Sequence, residues 1–363
     1  MNLIGENSNA KPGNNFLLRR TQFSLALKGI NPKDMKKAAI TMVLMTFGGF
    51  LSSGQAFRTE EPLAHTYSIV ARDAETGEMA VGVQSHWFSV GTVVSWAKSG
   101  VGVVATQSFS NPALGPDGLA LMEEGMEAPA ALNNLMEEDE GRDFRQVAFL
   151  DVNGNVDAFT GNKCIEWAGH YVGANFSVQA NMMLSDRVIP AMREAFEGNA
   201  HLPLAERVVE ALKAAEAAGG DIRGRQSAAL LVVSGKRAAH PSQDKLVDLR
   251  VDDHTAPLEE LERLLKVHRA YTHMNKGDLA MELGDMQKAM DEYAKAEHMF
   301  PDNLEMKFWK AIGLANSGKI NEALPVFREV FRKDPNWKEL TRRLPPSGLL
   351  NLSEEGLKAV LDL

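Results

Sequence analysis

Residues 65–107 read HTYSIVARDAETGEMAVGVQSHWFSVGTVVSWAKSGVGVVATQ, and this stretch decides the fold. It holds short runs of β-branched and small apolar residues at 66–71, 79–83, 92–96 and 101–106. A turn-forming segment, DAETG, separates the first two runs, which is the pattern of a β-hairpin. The runs therefore predict a β-meander that opens a domain, with the hydroxyl residue Thr66 at its very start.

A leader-like segment precedes this meander. The basic residues Lys36 and Lys37 are followed by the uncharged apolar run 38–47 and then by small residues up to Ala56. This order is typical of a secretory signal peptide, here over residues 35–56 with cleavage after Ala56. The alternative is an uncleaved anchor that keeps the protein on the membrane, although the apolar run is short for a bilayer span. We therefore expect a periplasmic or secreted protein.

Composition and the flanking segments agree with an exported globular protein. Residues 1–34 are predicted to be an unstructured N-terminal extension, and residues 57–64 a short linker. The 363-residue chain carries a net charge of −9, which argues against nucleic acid and anionic lipid as partners. Its one cysteine, Cys164, excludes an intrachain disulfide. Such a thiol is most often a small buried residue.

The region after the meander alternates between helices and strands. Periodicity and turn signals predict helices near 119–124, 130–136, 185–196 and 203–218, and strands near 145–152, 156–160, 227–233 and 247–254. This order favours an α+β sandwich, with two sheets facing each other and helices outside. The acidic and amide residues at 151–157 superficially resemble a calcium loop, but a β-hairpin turn at Asn153-Gly154 explains them without a metal.

Five segments of this region together resemble a known family. TYSIVARDAETGE, GVGVVATQ, SNPALGPDGL, DIRGRQSAALLVV and DLRVDDH are similar to the domain of unknown function 1028 family. The resemblance covers roughly residues 65–265, and the family is placed by fold among the N-terminal-nucleophile (Ntn) hydrolases. It therefore implies a four-layer αββα sandwich over residues 65–257 and hydrolysis of an amide bond, without a metal or cofactor.

The resemblance to the Ntn hydrolases implies roles for particular residues. In such enzymes a residue at the start of the first strand is the nucleophile, and its own α-amino group is the base, because that amine titrates near neutrality. The resemblance makes Thr66 the nucleophile, Ser85 its polar support and Lys98 the basic residue. It makes the backbone of Thr106 and Gln107 the oxyanion donor, and Asn181, Arg225, Gln226 and Ser227 the pocket lining.

This mechanism requires a free α-amine on Thr66. The chain must then be cut between His65 and Thr66, about ten residues after the predicted signal cleavage, by itself or by another protease. Without that cut, His65 is the alternative base, acting through its side chain. If Thr66 is only structural, we expect its hydroxyl to bond a backbone carbonyl.

Two further polar groups have alternative interpretations. Asp252, Asp253 and His254 fit either a carboxylate–histidine pair or a metal site, but their spacing favours the surface end of a strand or an ion pair with Arg250. Arg223 and Arg225 either bind a substrate carboxylate or pair with Asp221. A hydrolase that uses His254 as a side-chain base is a further option.

Past residue 257 the chain is helical and repeats itself. Gly284, Ala289, Tyr293, Ala296 and Pro301 recur as Gly318, Ala323, Phe327, Val330 and Pro335, each displaced by 34 residues. A 34-residue period with small, aromatic and closing proline positions resembles the tetratricopeptide repeat, a helix–turn–helix unit. Residues 258–363 are therefore predicted to be an all-α domain. Its concave surface binds a partner protein or peptide, or serves dimerisation or docking on the first domain.

These features predict a secreted hydrolase that cleaves an amide bond of a small molecule or peptide through an acyl-enzyme at Thr66. The alternative, of a different class, is a non-catalytic protein that binds peptides or cell-wall material, or acts as a scaffold. A mature chain that begins at Thr66 favours the hydrolase, and one that begins near Phe57 favours the binding protein.

Overall fold

The computed structural model of the protein describes residues 63–363. The N-terminal extension, the signal peptide and most of the linker predicted before residue 63 lie outside these residues. The described strands are β1 Leu63–Ala64, β2 Thr66–Arg72, β3 Met79–Ser85, β4 Ser95–Lys98, β5 Gly102–Phe109, β6 Arg145–Asp151, β7 Val156–Thr160, β8 Gly169–Gly173, β9 Phe176–Ala180, β10 Ser227–Val233 and β11 Lys245–Val251. The α-helices are α1 Leu114–Glu123, α2 Ala128–Glu138, α3 Val188–Gly198, α4 Leu204–Ala217, α5 Pro257–Glu282, α6 Met286–Met299, α7 Leu304–Asn316, α8 Ile320–Lys333, α9 Asn336–Arg343 and α10 Glu354–Leu361.

The strands form two antiparallel sheets. In the five-stranded sheet A, β5 lies between β6 on one side and both β1 and β4 on the other, and β7 follows β6. In the six-stranded sheet B the order is β11-β10-β3-β2-β9-β8. The hairpin predicted from the first two runs is the β2–β3 pair at the centre of sheet B, and it aligns Thr66 with Ser85. Every residue of β3 is buried, as its small apolar composition predicts.

Alternation of side chains along the strands builds three apolar cores. Val70, Val81, Val103, Leu150 and Leu231 belong to the core that lies between the two sheets. The other face of sheet B packs against α3 and α4, and the other face of sheet A packs against α1 and α2. Full burial of one such side chain contributes about 1.5–3 kcal/mol, so these cores hold the sheets together. The fold is therefore mixed α+β with two antiparallel sheets, as predicted.

The sequence patterns do not predict β8 and β9, and they place β4 too early. β8 is half exposed and contains two glycines, and β9 is only five residues long with polar side chains on its inner face. β8 therefore has no clear apolar period, whereas β9 does alternate between apolar and polar residues but is too short to stand out. β4 begins at Ser95 rather than at Thr92, because Val90–Thr92 forms a 3-10 turn.

The C-terminal region is helical, as predicted. Helices α6 and α8 begin at Met286 and Ile320, which are 34 residues apart. A Cβ atom on Gly277 of α5 would lie 2.4 Å from the ring of Tyr293 in α6, so the glycine lets these helices approach closely. No helix within residues 63–363 has the length and apolar character needed to cross a bilayer.

Helix α5 belongs to two cores at once. Leu258, Leu261 and Leu265 in its first half pack in the core on sheet B. Ala270 and Met274 in its second half pack in the core shared with α6. The predicted joining helix and the first helix of the repeat region are thus one continuous 26-residue helix.

Candidate active site

Three hydroxyl residues lie side by side where β2 begins. Thr66 is aligned with Ser85, and Ser85 is aligned with Ser227 on its other side. All three are fully buried, and strand alternation turns them toward sheet A, on the face that carries Val70 and Val83. This end of the space between the sheets is therefore polar, whereas the rest is filled by the apolar core.

The Thr66 hydroxyl contacts a carbonyl and a second hydroxyl. Its Oγ1 lies 2.7 Å from the carbonyl oxygen of Ala64 and 3.1 Å from Ser85 Oγ. Ser85 Oγ in turn donates to the carbonyl oxygen of His65 at 2.7 Å. Ser85 thus links the Thr66 hydroxyl to the peptide bond that precedes it. The bond to Ala64 is also the one expected of a purely structural threonine.

The His65 carbonyl oxygen has a second, charged donor. Arg223 Nη2 donates to it at 2.7 Å. The guanidinium is oriented by Asp221, whose buried carboxylate accepts from Arg223 Nε at 3.0 Å and from Nη2 at 2.7 Å. A guanidinium and a hydroxyl that converge on one carbonyl oxygen stabilise negative charge that develops there. The pairing of Arg223 with Asp221 is one of the two alternatives drawn from the sequence.

Buried amide side chains connect Thr66 to both sheets. Gln107 Nε2 lies 3.2 Å from the Thr66 carbonyl oxygen and 2.7 Å from Gln146 Oε1. Asn181 Nδ2 donates to the same Gln146 oxygen at 2.9 Å, and the Asn181 backbone amide donates to the Thr66 carbonyl at 3.1 Å. Ser68 Oγ donates to Gln107 Oε1 at 2.6 Å. A buried network with satisfied bonds holds the start of β2 in one geometry.

Two residues with left-handed backbone conformations flank this network. Ser108 has a φ of 72° and follows Gln107, and Met182 has a φ of 59° and follows Asn181. Non-glycine residues in this region are strained and concentrate at functional sites. The strain therefore lies directly beside the residues that contact the Thr66 carbonyl.

The His65 side chain is buried against an aromatic ring. Its imidazole packs edge-to-face on Phe109 with centroids 5.5 Å apart, and its Nδ1 lies 2.9 Å from Asn181 Oδ1. Because the Asn181 amide nitrogen donates to Gln146, the oxygen faces the ring and Nδ1 carries the proton. Burial lowers the pKa of His65, and the nearby charge of Arg223 lowers that pKa further. The imidazole is therefore neutral near pH 7.

The structure corrects the predicted oxyanion donor. The Thr106 amide donates to the carbonyl of Val94 at 3.0 Å, so it is already engaged. Successive amides of a strand point to opposite edges, so the Gln107 amide faces β6. Gln107 therefore acts through its side chain, and the donors at the carbonyl before Thr66 come from elsewhere.

The structure does not bring Lys98 to Thr66. Lys98 ends β4, aligned with Gly102 at the start of β5, and its ammonium lies 2.5 Å from Glu123. That end of sheet A has its own cavity of about 430 Å³, which Lys98 helps to line. The basic residue beside Thr66 is Arg223, which lies in a loop far along the chain.

The predicted pocket residues after Arg223 lie around the ends of β3 and β10. Arg225 is exposed and pairs with a surface glutamate at 3.3 Å. The Gln226 amide donates to the Ser85 carbonyl at 3.1 Å, and Ser227 Oγ donates to the carbonyl of Trp87. Gln226 and Ser227 therefore fix the strand ends around Ser85, and none of the three contacts Thr66 itself.

The Asp252–His254 group agrees with the surface-end interpretation. Asp252 Oδ1 accepts from Ser89 Oγ at 2.6 Å, and Asp253 Oδ1 accepts from Gln226 Nε2 at 3.1 Å. His254 Nδ1 accepts from a backbone amide two residues later, at 3.0 Å. These bonds tie loops together, and they lie outside the network around Thr66.

The remaining sequence candidates have local roles. The Asp151 carboxylate accepts the amides of Asn153 and Asn155 at 2.9 and 3.1 Å, which is a hairpin turn. The Cys164 thiol lies 3.3 Å from the Arg145 carbonyl, and burial raises its pKa, so the thiolate is disfavoured. Across residues 63–363 no group of three His, Cys, Asp or Glu side chains is placed to hold a metal ion.

Comparison with known proteins agrees with this region of the chain. The model of a family of unknown function, DUF1028, matches residues 66–261, which confirms the resemblance drawn from the five sequence segments. A crystal structure of a Silicibacter pomeroyi protein, described under the same family, is 33% identical with a TM-score of 0.50. The alignment covers 56% of this chain and 88% of that one. No curated protein matches the chain.

Proposed function

The chain belongs to DUF1028, a family of unknown function, and from that premise we propose that it is an Ntn-type amidohydrolase with Thr66 as its nucleophile. One observation carries the proposal. Ser85 Oγ and Arg223 Nη2 both donate to the carbonyl oxygen of the peptide bond that precedes Thr66, and the same Ser85 Oγ lies 3.1 Å from Thr66 Oγ1. A nucleophile beside a carbonyl that is held by two strong donors is the arrangement that acyl transfer requires.

The order of layers supports an Ntn-type αββα sandwich. Helices α1 and α2 cover sheet A, the two sheets face each other across an apolar core, and α3 and α4 cover sheet B. The first long strand lies at the centre of sheet B and begins with the hydroxyl residue. Fold alone says little about a reaction, so the proposal depends on the contacts of Thr66.

The proposal includes cleavage of the chain by itself between His65 and Thr66. Thr66 Oγ1 attacks the His65 carbonyl carbon, and Ser85 and Arg223 stabilise the oxyanion. The carbon–nitrogen bond breaks, the Thr66 nitrogen takes the hydroxyl proton, and an ester joins His65 to Thr66. Water then attacks the ester, which releases the leader with a His65 carboxylate and leaves Thr66 with a free amine. That amine, with a pKa near neutrality, is the base for later turnovers.

The substrate class in this proposal is an amide of a small molecule or peptide outside the cytoplasm. The basic, apolar and small-residue order of residues 35–56 supports export. Thr66 is fully buried, so in this proposal the loss of His65 and the residues before it is what opens the nucleophile to a substrate.

The test is the intact mass and N-terminal sequence of the full chain isolated from its host. We expect the wild type to begin at Thr66, Thr66→Ser to be cut more slowly, and Thr66→Ala to remain uncut. Thr341→Ala is the matched control, because Thr341 is a fully buried threonine in α9 that bonds a helix carbonyl. A wild-type chain that keeps residues before Thr66 would falsify the amine-assisted mechanism and favour the binding protein.

The helical region supports a second function, the binding of a peptide. We propose that α5 to α8 form two tetratricopeptide-like units, on the basis of their 34-residue spacing and the Gly277–Tyr293 contact. A cavity of about 500 Å³ lies between α5, α6, α7 and the segment 348–351. It is lined by Asp278, Met281, Glu282, Met286, Tyr293, Trp309, Ile312, Asn316, Gly348, Leu349 and Asn351.

The lining of this cavity favours a peptide with a basic residue beside an apolar one. Asp278 accepts from the Tyr293 hydroxyl at 2.7 Å, and within residues 63–363 neither Asp278 nor Glu282 pairs with a cationic side chain. Methionine and aromatic side chains line the same cavity. We expect calorimetry to detect a lysine-containing peptide and not its glutamate counterpart. Asp278→Asn should weaken that binding, and Asp362→Asn, on the distant α10 end, is the matched control.

A further inference from the structure

We propose that the acyl group of the substrate occupies the site that His65 fills, so the mature enzyme prefers histidyl amides and related amides with a planar, hydrogen-bond-donating acyl side chain. This inference rests on the proposed function and adds the substrate class. It starts from the contacts of one side chain that the leader supplies to the site.

The chemistry of the ester makes the two acyl groups equivalent. During self-cleavage the His65 carbonyl carbon becomes bonded to Thr66 Oγ1. When a substrate amide is cleaved, its own carbonyl carbon forms the same bond to the same oxygen, and the substrate amine leaves with the proton. Both carbonyl oxygens must then reach the donors of Ser85 and Arg223, which contact the His65 carbonyl at 2.7 Å. The side chain next to that carbonyl is therefore placed alike in both reactions.

The site around His65 is specific in shape and polarity. Only 3% of His65 is exposed, and its ring packs edge-to-face on Phe109 at an interplanar angle of 87°. Phe109 is itself packed on Phe144, with centroids 5.4 Å apart. This aromatic wall is complementary to a flat ring rather than to a branched aliphatic group.

One polar atom in the site selects for a donor. Asn181 Oδ1 accepts from His65 Nδ1 at 2.9 Å. The Asn181 amide nitrogen is held by Gln146 Oε1 at 2.9 Å and by the Thr66 carbonyl at 3.3 Å, so the side chain cannot turn without losing both bonds. An acyl group without a donor leaves this buried oxygen unpaired, and such a loss lowers kcat/KM by about 10- to 100-fold.

The charge of the ring also matters at this site. Arg223 and Asp221 are the charged groups nearest the imidazole, and the neutral form of the ring avoids repulsion from the guanidinium. A permanently cationic acyl side chain, such as that of lysine or arginine, is therefore disfavoured beside Arg223. The preferred acyl group is neutral, planar and able to donate one hydrogen bond.

The experiment uses the processed protein with Thr66 as its first residue and the p-nitroanilides of histidine, phenylalanine, alanine and lysine. We expect kcat/KM for the histidyl anilide to exceed that for the phenylalanyl anilide by about 10- to 100-fold, since the two rings differ mainly in the donor. Alanyl and lysyl anilides should be slower still. Asn181→Leu should reduce the preference for histidine over phenylalanine to about threefold or less.

The outcomes separate the two proposals. Turnover that depends on Thr66 but is equal for histidyl and phenylalanyl anilides, or faster for alanyl, overturns the acyl-site inference and leaves the hydrolase intact. The absence of Thr66-dependent turnover on every anilide, together with an uncut wild-type chain, overturns the hydrolase itself.

Discussion

The contact between Arg223 and the His65 carbonyl allows a sharp test of catalysis. Replacement by glutamine in Arg223→Gln removes the charged donor that lies 2.7 Å from the oxygen on which negative charge develops. Loss of one such donor slows acyl transfer by about 10²–10³-fold, or about 2.7–4 kcal/mol in the barrier. Ser85 Oγ, which donates to the same oxygen at 2.7 Å, remains in place. We therefore expect slow cutting rather than none.

The same substitution leaves Asp221 buried without its partner. The Asp221 side chain is fully buried, whereas about a quarter of Arg223 is exposed, so we expect a loss of roughly 2–4 kcal/mol in the free energy of unfolding. The double variant Asp221→Asn/Arg223→Gln removes both charges and should recover part of that stability. It should not recover the cutting rate, because the donor is still missing. The double variant thereby separates the effect of Arg223 on the free energy of unfolding from its effect on the cutting rate.

The assay is a time course of intact mass after cell-free synthesis of the full chain, with urea unfolding of each variant. Arg225→Gln is the matched control, since Arg225 lies two residues away, exposed and paired with a surface glutamate. Its cutting rate should stay within about twofold of wild type. If folded Arg223→Gln is cut as fast as wild type, Arg223 has no part in the reaction and the oxyanion argument is wrong.

Three further predictions concern stability. The side chain of Gln84 is buried, and neither its Nε2 nor its Oε1 has a hydrogen-bond partner among the described residues. Gln84→Met should therefore raise the free energy of unfolding by about 1–2 kcal/mol. Gln146→Met should lower the free energy of unfolding by about 2–5 kcal/mol, because the Gln146 side chain bonds several buried partners. If urea unfolding shows the same change in stability for Gln84→Met and Gln146→Met, this account of the network is wrong. The lowered pKa of His65, beside Arg223 and Asp221, means that the unfolded chain binds the proton more readily. In the uncut Thr66→Ala chain, which keeps His65, the free energy of unfolding should therefore be full above about pH 6.5 and decline as the pH falls below it, relative to Thr66→Ala/His65→Asn; parallel pH curves for the two proteins would refute this.

The strands around the site can be predicted from the sequence because they consist almost entirely of apolar and β-branched residues. β2, β3 and β10 are continuous apolar or β-branched runs, and their bounds agree with the predictions within about two residues. Thr66 and Ser85 are the end residues of such runs, so their proximity follows from hairpin pairing alone. The α+β class and the helical C-terminal region follow from the order of the elements.

The hydrogen-bond partners of the polar residues in the site cannot be predicted from the sequence in this way. An inward-facing glutamine such as Gln146 has the same pattern as an outward-facing one, so alternation cannot show that it bonds Gln107 and Asn181. Arg223 reaches the His65 carbonyl only because its loop leads into β10, which pairs with β3. The resemblance to the Ntn hydrolases makes Lys98 the basic residue, but Lys98 pairs with Gly102, at the end of β5 away from Gln107. Partners distant along the chain are set by tertiary pairing.

The continuous helix α5 connects the two-sheet region rigidly to the helical C-terminal region. At 1.5 Å per residue its 26 residues span about 39 Å, and its two halves are anchored in separate cores. No flexible linker therefore separates the two sheets from the helical region. If the helical region binds the peptide proposed above, that peptide is held at a fixed distance from the two sheets. Avidity is then gained only by partners whose two contact points match that span, and shorter or longer ones bind through one end alone.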